Sequence, residues 1–558
     1  MDKNTARLNS GFRRQSEIFT PLVRLKDMHT AMSGKSKSNL FFVQLGLFKE
    51  FVSCFMLGFA ARLIPELLAF NSVIGYDTLD YALRIKNGVV WTHWTQFFTS
   101  TWLLDFTLIS ISQLLKPDPV LLLKLFGPIL FGLNTSAIYL YSRGLNWSRK
   151  TSFLTAFLFT FQLASLRISW DLLRNSLAMA LLLFSLYLIE KLDSNVKLLC
   201  FSFLSVLTVF AHEFAAVTLV FIFAILVIRT FLRKGLNPNL KRLFLGFTPA
   251  LIFFLLGLYL RFFPVHYKVD GANKVIGVND VETSSVGGLF FLVNYLSIQT
   301  PIDFYGSYFE LFLSVAALFS ILYLPYLLLV LKGYFRHPML DAWTLLLVLG
   351  SFSCIISPFC ALFYWHRWMF MLAYPFTFYA VNGIYKLRKT NFQFKNGKLH
   401  VLLANLNMKT KISIFTAVSL ALIYLATPLL MITANIGIFA IYPVSRYFTS
   451  APAIPYQDVE STIQAFKWID RNVDNHSCLI LHDAFYYWGM LYLNSPPTIV
   501  HFTCDAEMAV KTATDKGFNS IYFVWWNINI GWYNVRVPEN FIEVQRFGRV
   551  SVFKYNLT

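Results

Sequence analysis

Runs of about twenty apolar residues recur along this chain from Phe51 almost to Tyr442, parted by polar turns. Wound as a helix, such a run spans a hydrocarbon core of about 30 Å. The runs are continuous and lack the two-residue alternation of barrel strands, so they point to helices rather than to a membrane β-barrel. Composition agrees: the chain is 56% hydrophobic, 18% aromatic and 14% charged, where a soluble domain carries about 25% charged residues. The expected fold is a polytopic α-helical membrane protein of about 11 transmembrane helices. A small C-terminal α/β extracytoplasmic domain follows it.

The formal net charge is +19. In a soluble chain this would point to nucleic acid. Here Lys and Arg gather in alternate turns, as cytoplasmic loops require, and no nucleic-acid motif is present. Residues 1–42 read as a basic cytoplasmic tail, and 43–442 as the transmembrane domain. Crossings are expected near 43–70, 119–141, 151–166, 175–190, 198–211, 214–228, 243–262, 308–331, 340–362, 369–385 and 412–442. Outer loops fall at 71–118 and 263–306. The basic turns at Arg143–Lys150, Arg229–Arg242 and Lys386–Lys411 mark the inside. The N-terminus is then cytoplasmic and the C-terminal domain lies outside, in a multi-pass plasma-membrane protein. Trp91, Trp94 and Trp102 in the first outer loop read as helices lying in the membrane interface.

From 443 to 558 the composition becomes that of a soluble module. Tyr456–Asn472, Ala484–Leu493 and Ala506–Lys516 read as helices; Cys478–His482, Thr498–Phe502 and Ser520–Trp526 read as strands; Phe541–Tyr555 reads as a hairpin around Gly548. The alternation implies a mainly parallel sheet. No glycine-rich phosphate fingerprint precedes these helices.

Four polar clusters share the expected outer face: Asp77 with Asp80, Arg167 to Arg174, His212 with Glu213, and His366 with Arg367. Ionisable groups at span ends are costly unless they pair or serve a substrate. Each has a plainer alternative. Asp77 can cap a helix, Arg174 can snorkel, His212 and Glu213 can satisfy each other, and Arg367 can anchor an aromatic belt with Tyr364, Trp365 and Trp368. Read together, they supply acid/base and anion-binding chemistry. A carboxylate, Asp77 with Asp80 beside it, can deprotonate a hydroxyl. Arg174 and Arg367, with His212, Glu213 and His366 near them, can hold a lipid phosphate and offset its charge. One His-Glu pair falls short of a zinc ligand set, and the six Cys show no metal-ligand spacing. No metal site is assigned, a divalent ion stays compatible, and the cofactor requirement is open.

On these residues the chain resembles the GT-C superfamily of integral membrane glycosyltransferases. The first span ends in Arg62-Leu63-Ile64-Pro65 and leads to Gly75-Tyr76-Asp77-Thr78-Leu79-Asp80-Tyr81, like that superfamily's first outer loop with its catalytic Asp. His366-Arg367-Trp368 to Tyr374-Pro375 is similar to its late span with an outer Arg and an internal Pro. The layout of interfacial helices, a basic loop before the last span and an outer soluble domain is shared too. Trp525-Trp526-Asn527 departs from the oligosaccharyltransferase signature Trp-Trp-Asp-Tyr-Gly, so sequon recognition is not implied. The loop has Asp-Thr-Leu-Asp where Asp-x-Asp or adjacent Asp-Glu occurs elsewhere in the superfamily. The resemblance implies transfer, with inversion, of a sugar from a polyprenyl-phosphate-linked donor to a glycan, lipid or protein acceptor at the outer face. Membrane lipid is the other partner, and nucleic acid is not. Two other readings stay open. One is a polysaccharide polymerase or ligase acting on polyprenyl-diphosphate glycans. The other is a lipid-linked glycan transporter or flippase, which would show polar breaks in mid-span.

Overall fold

A break in the third apolar run sets the geometry of this protein. Arg149–Thr160 and Leu163–Asp171 are two helices bent by 62°, where the sequence predicts one straight crossing. The turn between them exposes backbone groups that a lipid core cannot satisfy. Ser165 Oγ answers this by donating to the Phe159 and Gln162 carbonyls, and Gln162 anchors the turn from inside the bundle. Its Nε2 donates to Thr377 Oγ1 at 2.7 Å, and its Oε1 accepts from Tyr326 Oη at 3.0 Å. The second half-helix thereby carries Arg167, Trp170 and Asp171 into the protein rather than past its end.

The computed structural model describes residues 36–70, 72–75, 77–91, 94–235, 237–262, 275–277, 298–299, 307–356, 361–362, 364–387, 408–426, 454–503, 505–528 and 535–556. In chain order the helices begin with α1 Ser36–Leu68, α2 Thr78–Asn87, α3 Gln96–Thr99, α4 Leu103–Leu115, α5 Pro119–Gly144, α6 Arg149–Thr160 and α7 Leu163–Asp171. They continue with α8 Leu173–Glu190, α9 Asn195–Ala211, α10 Glu213–Lys234, α11 Pro238–Phe262, α12 Tyr308–Gly333, α13 Pro338–Ile356, α14 Trp365–Met371, α15 Ala373–Lys386 and α16 Met408–Leu425. Among the described residues six helices are long and apolar enough to cross a membrane, or seven if the bent α6–α7 pair is one span. Shorter apolar helices accompany them, α9 and α16 included. The chain is thus a polytopic helical membrane protein, and the described helices do not by themselves reach the expected count of about eleven. The expected crossing at 369–385 is preceded by a separate short helix, α14. The expected 412–442 crossing is described only to its first half, and most of the 263–306 loop lies outside the described residues.

Several helix starts are capped as their sequences suggest. Asp118 accepts from the Val120 and Leu121 N–H groups at 2.9 and 3.0 Å, with Pro119 as first residue of α5. Ser307 caps α12 through the Glu310 N–H. Gly333 and Gly383 let α12 and α15 press backbone to backbone. A Cβ at either would lie 1.8 Å from the Tyr379 carbonyl or 2.0 Å from that of Leu329.

The C-terminal module contains a 3₁₀ turn (Tyr456–Asp458), α17 Val459–Asn472, α18 Asp483–Tyr492 and α19 Ala506–Asp515. Its strands are β4 Cys478–His482, β5 Thr498–Phe502, β6 Ile521–Trp526, β7 Phe541–Phe547 and β8 Val550–Tyr555. β4 and β6 are buried along their whole length, which is why they read as unbroken apolar runs. The sheet has six strands in the order β1-β5-β4-β6-β8-β7. β1 is Val275–Gly277, from the distant loop between α11 and α12, and it pairs parallel to β5. The sequence reading did not anticipate that strand. A further small pair, β2 Ile298–Gln299 with β3 Ala361–Leu362, is antiparallel.

Candidate active site

The loop between α1 and α2 is fixed from below. Gly75 has φ +93, and a Cβ there would lie 2.5 Å from Asp171 Cβ and 2.9 Å from the Trp170 carbonyl. Only glycine satisfies both conditions. Arg62 Nε donates to the Ser169 carbonyl at 3.1 Å, and its Nη2 pairs with Glu66 at 2.8 Å, both side chains being buried. Lys124 Nζ donates at 2.7 Å to each of the Glu66, Phe70 and Ser72 carbonyls, which closes the C-terminal end of α1. Thr78 Oγ1 donates to the Ile74 carbonyl at 2.6 Å. The end of α1, the acidic loop and the end of α7 are therefore one unit.

Asp77 opens α2 in the capping position, yet its side chain accepts no capping bond. The plain reading as a helix cap does not account for its carboxylate. Oδ2 lies 3.8 Å from Arg367 Nη2, and the side chain stays 44% exposed. Surrounding burial and the Asp171 carboxylate push its pKa up to about 6, against the opposing pull of Arg367 and Arg167. Asp77 is thus a half-open carboxyl among charged neighbours, with its pKa raised to about 6.

Asp171 is held by Arg167, one turn earlier on α7, through both of its oxygens. The Arg167 guanidinium also lies 5.5 Å from the centre of the Phe370 ring. Arg367 rests 4.6 Å above the Tyr364 ring. Tyr364 itself has φ +55, a left-handed backbone that a bulky residue adopts only under constraint.

A second chain of charges runs beside the first. Asp80 pairs with Arg84 at 2.8 Å, Arg84 reaches Asp105 at 3.5 Å, and Asp105 holds Arg174 at 2.7 Å. Arg174 also sits 5.6 Å from the Tyr81 ring centre. Asp80 is therefore paired along its own helix with Arg84, which reaches α4 in turn. Arg174 does not snorkel outward. It is a half-buried partner of Asp105, and its Nε has no acceptor among the described residues.

His212 and Glu213 sit between these chains. His212 Nδ1 accepts the Phe214 N–H at 3.1 Å, which leaves the proton on Nε2. Its separation from Glu213 is 3.8 Å. Glu213 also bonds the Thr101 side chain, and the charges of Arg174 and Arg367 act on both residues. His366 lies among Tyr364, Trp365 and Phe370, with ring centres about 6 Å away.

The structure brings Asp77, Arg367, Arg174, His212 and Glu213 into one polar zone and gives Asp80 and His366 flanking roles. The sequence reading passed over Asp171 and Asp105 as site residues. Asp171 carried a usable signal, since it stands four residues after Arg167 in an apolar helix. Asp105 carried none, because its partner lies on a helix remote in sequence. Among the described residues no group of three or more His, Cys, Asp or Glu side chains could hold a metal ion.

No protein-family model matches the chain, and no curated protein matches it. Solved structures do. The archaeal oligosaccharyltransferase AglB from Archaeoglobus fulgidus, in complex with an inhibitory peptide and a dolichol-phosphate, is 12% identical with a TM-score of 0.51, over 86% of this chain and 70% of its own. ArnT from Cupriavidus metallidurans, bound to undecaprenyl phosphate, is 12% identical with a TM-score of 0.46, over 92% of this chain and 98% of its own. The likeness to AglB is one of fold: this chain shares the fold of that oligosaccharyltransferase.

Proposed function

We propose that this chain, with its GT-C fold, is a glycosyltransferase that moves a sugar from a polyprenyl-phosphate-linked donor to a hydroxyl acceptor at the outer face of the membrane. The observation that carries the reading is the Asp77 carboxylate. It is free of capping duty, half open, raised to about 6, and 3.8 Å from the Arg367 guanidinium. A base of that pKa is ionised at neutral pH and still accepts a proton readily.

In this reading Asp77 takes the proton of the acceptor hydroxyl. The acceptor oxygen bonds to the anomeric carbon as the bond from that carbon to the phosphate oxygen breaks. The electron pair leaves with the polyprenyl phosphate, and attack from the opposite face inverts the anomeric centre. Arg367 offsets the charge on the leaving phosphate, and Arg174, whose buried Nε has no acceptor among the described residues, offers a second donor. His212, buried beside Glu213, orients the substrate, and Asp80 keeps Arg84 and α2 in place. Arg167 keeps Asp171 oriented beside the base.

The same reading puts the N-terminus in the cytoplasm and the C-terminal domain outside. It takes about eleven crossings by adding α9, α13, α14 with α15, and α16 to the longer helices. A polymerase or ligase would use Arg167, Arg174 and His212 in the same zone. Parallel assays of Asp77→Asn and His212→Ala on phosphate- and diphosphate-linked donors separate the two readings. Donor binding is the direct test of the phosphate contact. Purified protein in nanodiscs is expected to bind polyprenyl phosphate at least tenfold more tightly than Arg367→Ala does, and equal binding removes Arg367 from the reading.

A further inference from the structure

α2 carries Asp77 at one end and Lys86 at the other, nine positions on. Lys86 does not extend into solvent. Its Nζ donates to the carbonyls of Met490, Leu491 and Leu493 at 3.0, 2.9 and 2.8 Å. An ammonium has three N–H donors, so all are spent on one target. That target is the end of α18, whose last carbonyls have no partner within the helix and carry its negative dipole end. Next to it, Asp470 fixes the following turn, accepting from the Asn494 and Ser495 backbone N–H groups at 2.7 and 3.3 Å. Asp470 is also the carboxylate that favours the charged form of Lys86, against the opposing effect of burial. α18 belongs to the C-terminal sheet domain, and α2 packs along it.

The ten-residue α2 is a rod about 15 Å long. Both of its ends are tied: the first to α7 through Gly75 and Thr78, the second to the outer domain through Lys86. A short helix held in this way transmits a displacement of one end to the other. From this arrangement we infer that Lys86 is a positioning residue through which the C-terminal domain sets the place of Asp77 relative to Arg367. The inference rests on the reading of Asp77 as the base. It gives the outer domain a task in the reaction: movement of that domain on engaging an acceptor is felt at the carboxylate.

The test uses the full-length protein in nanodiscs. Lys86→Met keeps the stem and removes the donors; Lys86→Arg keeps the charge and alters the geometry; Asp77→Asn runs beside them. Lys86→Met is expected to raise amide hydrogen exchange in 78–87 and in 489–493, to lower kcat tenfold or more with KM changed less than threefold, and to move the acid limb of the pH profile. Lys86→Arg is expected to recover part of kcat. A merely structural role would reduce the yield of folded protein but leave kcat per folded enzyme and the acid limb unchanged. Unchanged exchange, or wild-type kcat and pH profile beside an inactive Asp77→Asn, overturns the inference and leaves the proposed function standing. Full turnover by Asp77→Asn overturns the assignment of the base, and this inference with it.

Discussion

The Arg367 guanidinium stands 3.8 Å from the Asp77 carboxylate while its face rests 4.6 Å above the Tyr364 ring. Two segments remote in sequence thus meet as a carboxylate and a cation. The cation is close enough to favour ionisation of Asp77. It is too far, and its partner too open, to lock the carboxylate in a closed ion pair.

The pH dependence follows with a definite sign. Asp77 rises from 3.8 to about 6 on folding, so kcat/KM is expected to climb tenfold per unit below about pH 6 and to level above it. The stability effect runs the other way. A carboxyl raised on folding adds stability below about pH 4, and that stability is lost as pH rises through 6. Asp77→Asn is therefore expected to lose activity yet hold or gain stability at pH 7, by at most about 1 kcal/mol after discounting for its exposure. Thermal unfolding read beside turnover checks this; a clear loss of Tm would contradict it.

Arg367→Ala removes a group that lowers the Asp77 pKa. Its acid limb is expected to move to higher pH, with kcat/KM down about 10²- to 10³-fold at neutral pH. Arg367→Lys restores charge but not the two-pronged donor, so it should recover the limb more fully than the rate. A limb that stays in place in Arg367→Ala would break the link between the two residues.

Much of this was legible in the chain. The apolar runs and the strands at 478–482 and 498–502 follow from pattern alone, because burial imposes those patterns directly. Asp77 and Arg367 were readable as ionisable groups at span ends. Three things were not. The break at Phe161–Gln162 is stabilised by Thr377 and Tyr326, which no local pattern brings together. The pairing of Asp105 with Arg174 depends on how α4 docks. Strand β1 is three residues long and owes its existence to β5.

Asp105 sits between two cations and holds Arg174 at 2.7 Å. Removing it leaves a largely buried guanidinium without its close counter-charge. Asp105→Ala is expected to cost about 3 kcal/mol, and Arg174→Ala added to it should recover part of that loss. Chemical unfolding of the single and double variants measures the coupling, and strict additivity would count against the pair.

Tyr364 offers a case in which stability and activity part. Tyr364→Gly relieves the left-handed backbone, worth about 1 kcal/mol, and removes the ring beneath Arg367. Tm is expected to hold or rise while kcat/KM falls about tenfold, as for the loss of a contact of about 1 kcal/mol that also orients the cation. Tyr364→Phe should keep most of the activity. A fall in both quantities for Tyr364→Gly would place the residue in the scaffold alone.

Gly75→Ala tests the floor of the site. A methyl group there meets Asp171 Cβ at 2.5 Å with the backbone at φ +93. The expected cost is about 3 kcal/mol, from crowding and the left-handed backbone together. A variant with wild-type stability and turnover would mean that the loop does not depend on its contact with α7.

The central claim is tested most directly by turnover. Purified protein in nanodiscs is given a panel of radiolabelled polyprenyl-phosphate sugars, with and without divalent metal, and Asp77→Asn is assayed in parallel. The account predicts release or transfer of sugar from at least one donor by the wild type, rising with pH through about 6, and its loss in the folded Asp77→Asn protein. Equal turnover by the two proteins, or no turnover of any donor by folded wild type, would contradict it.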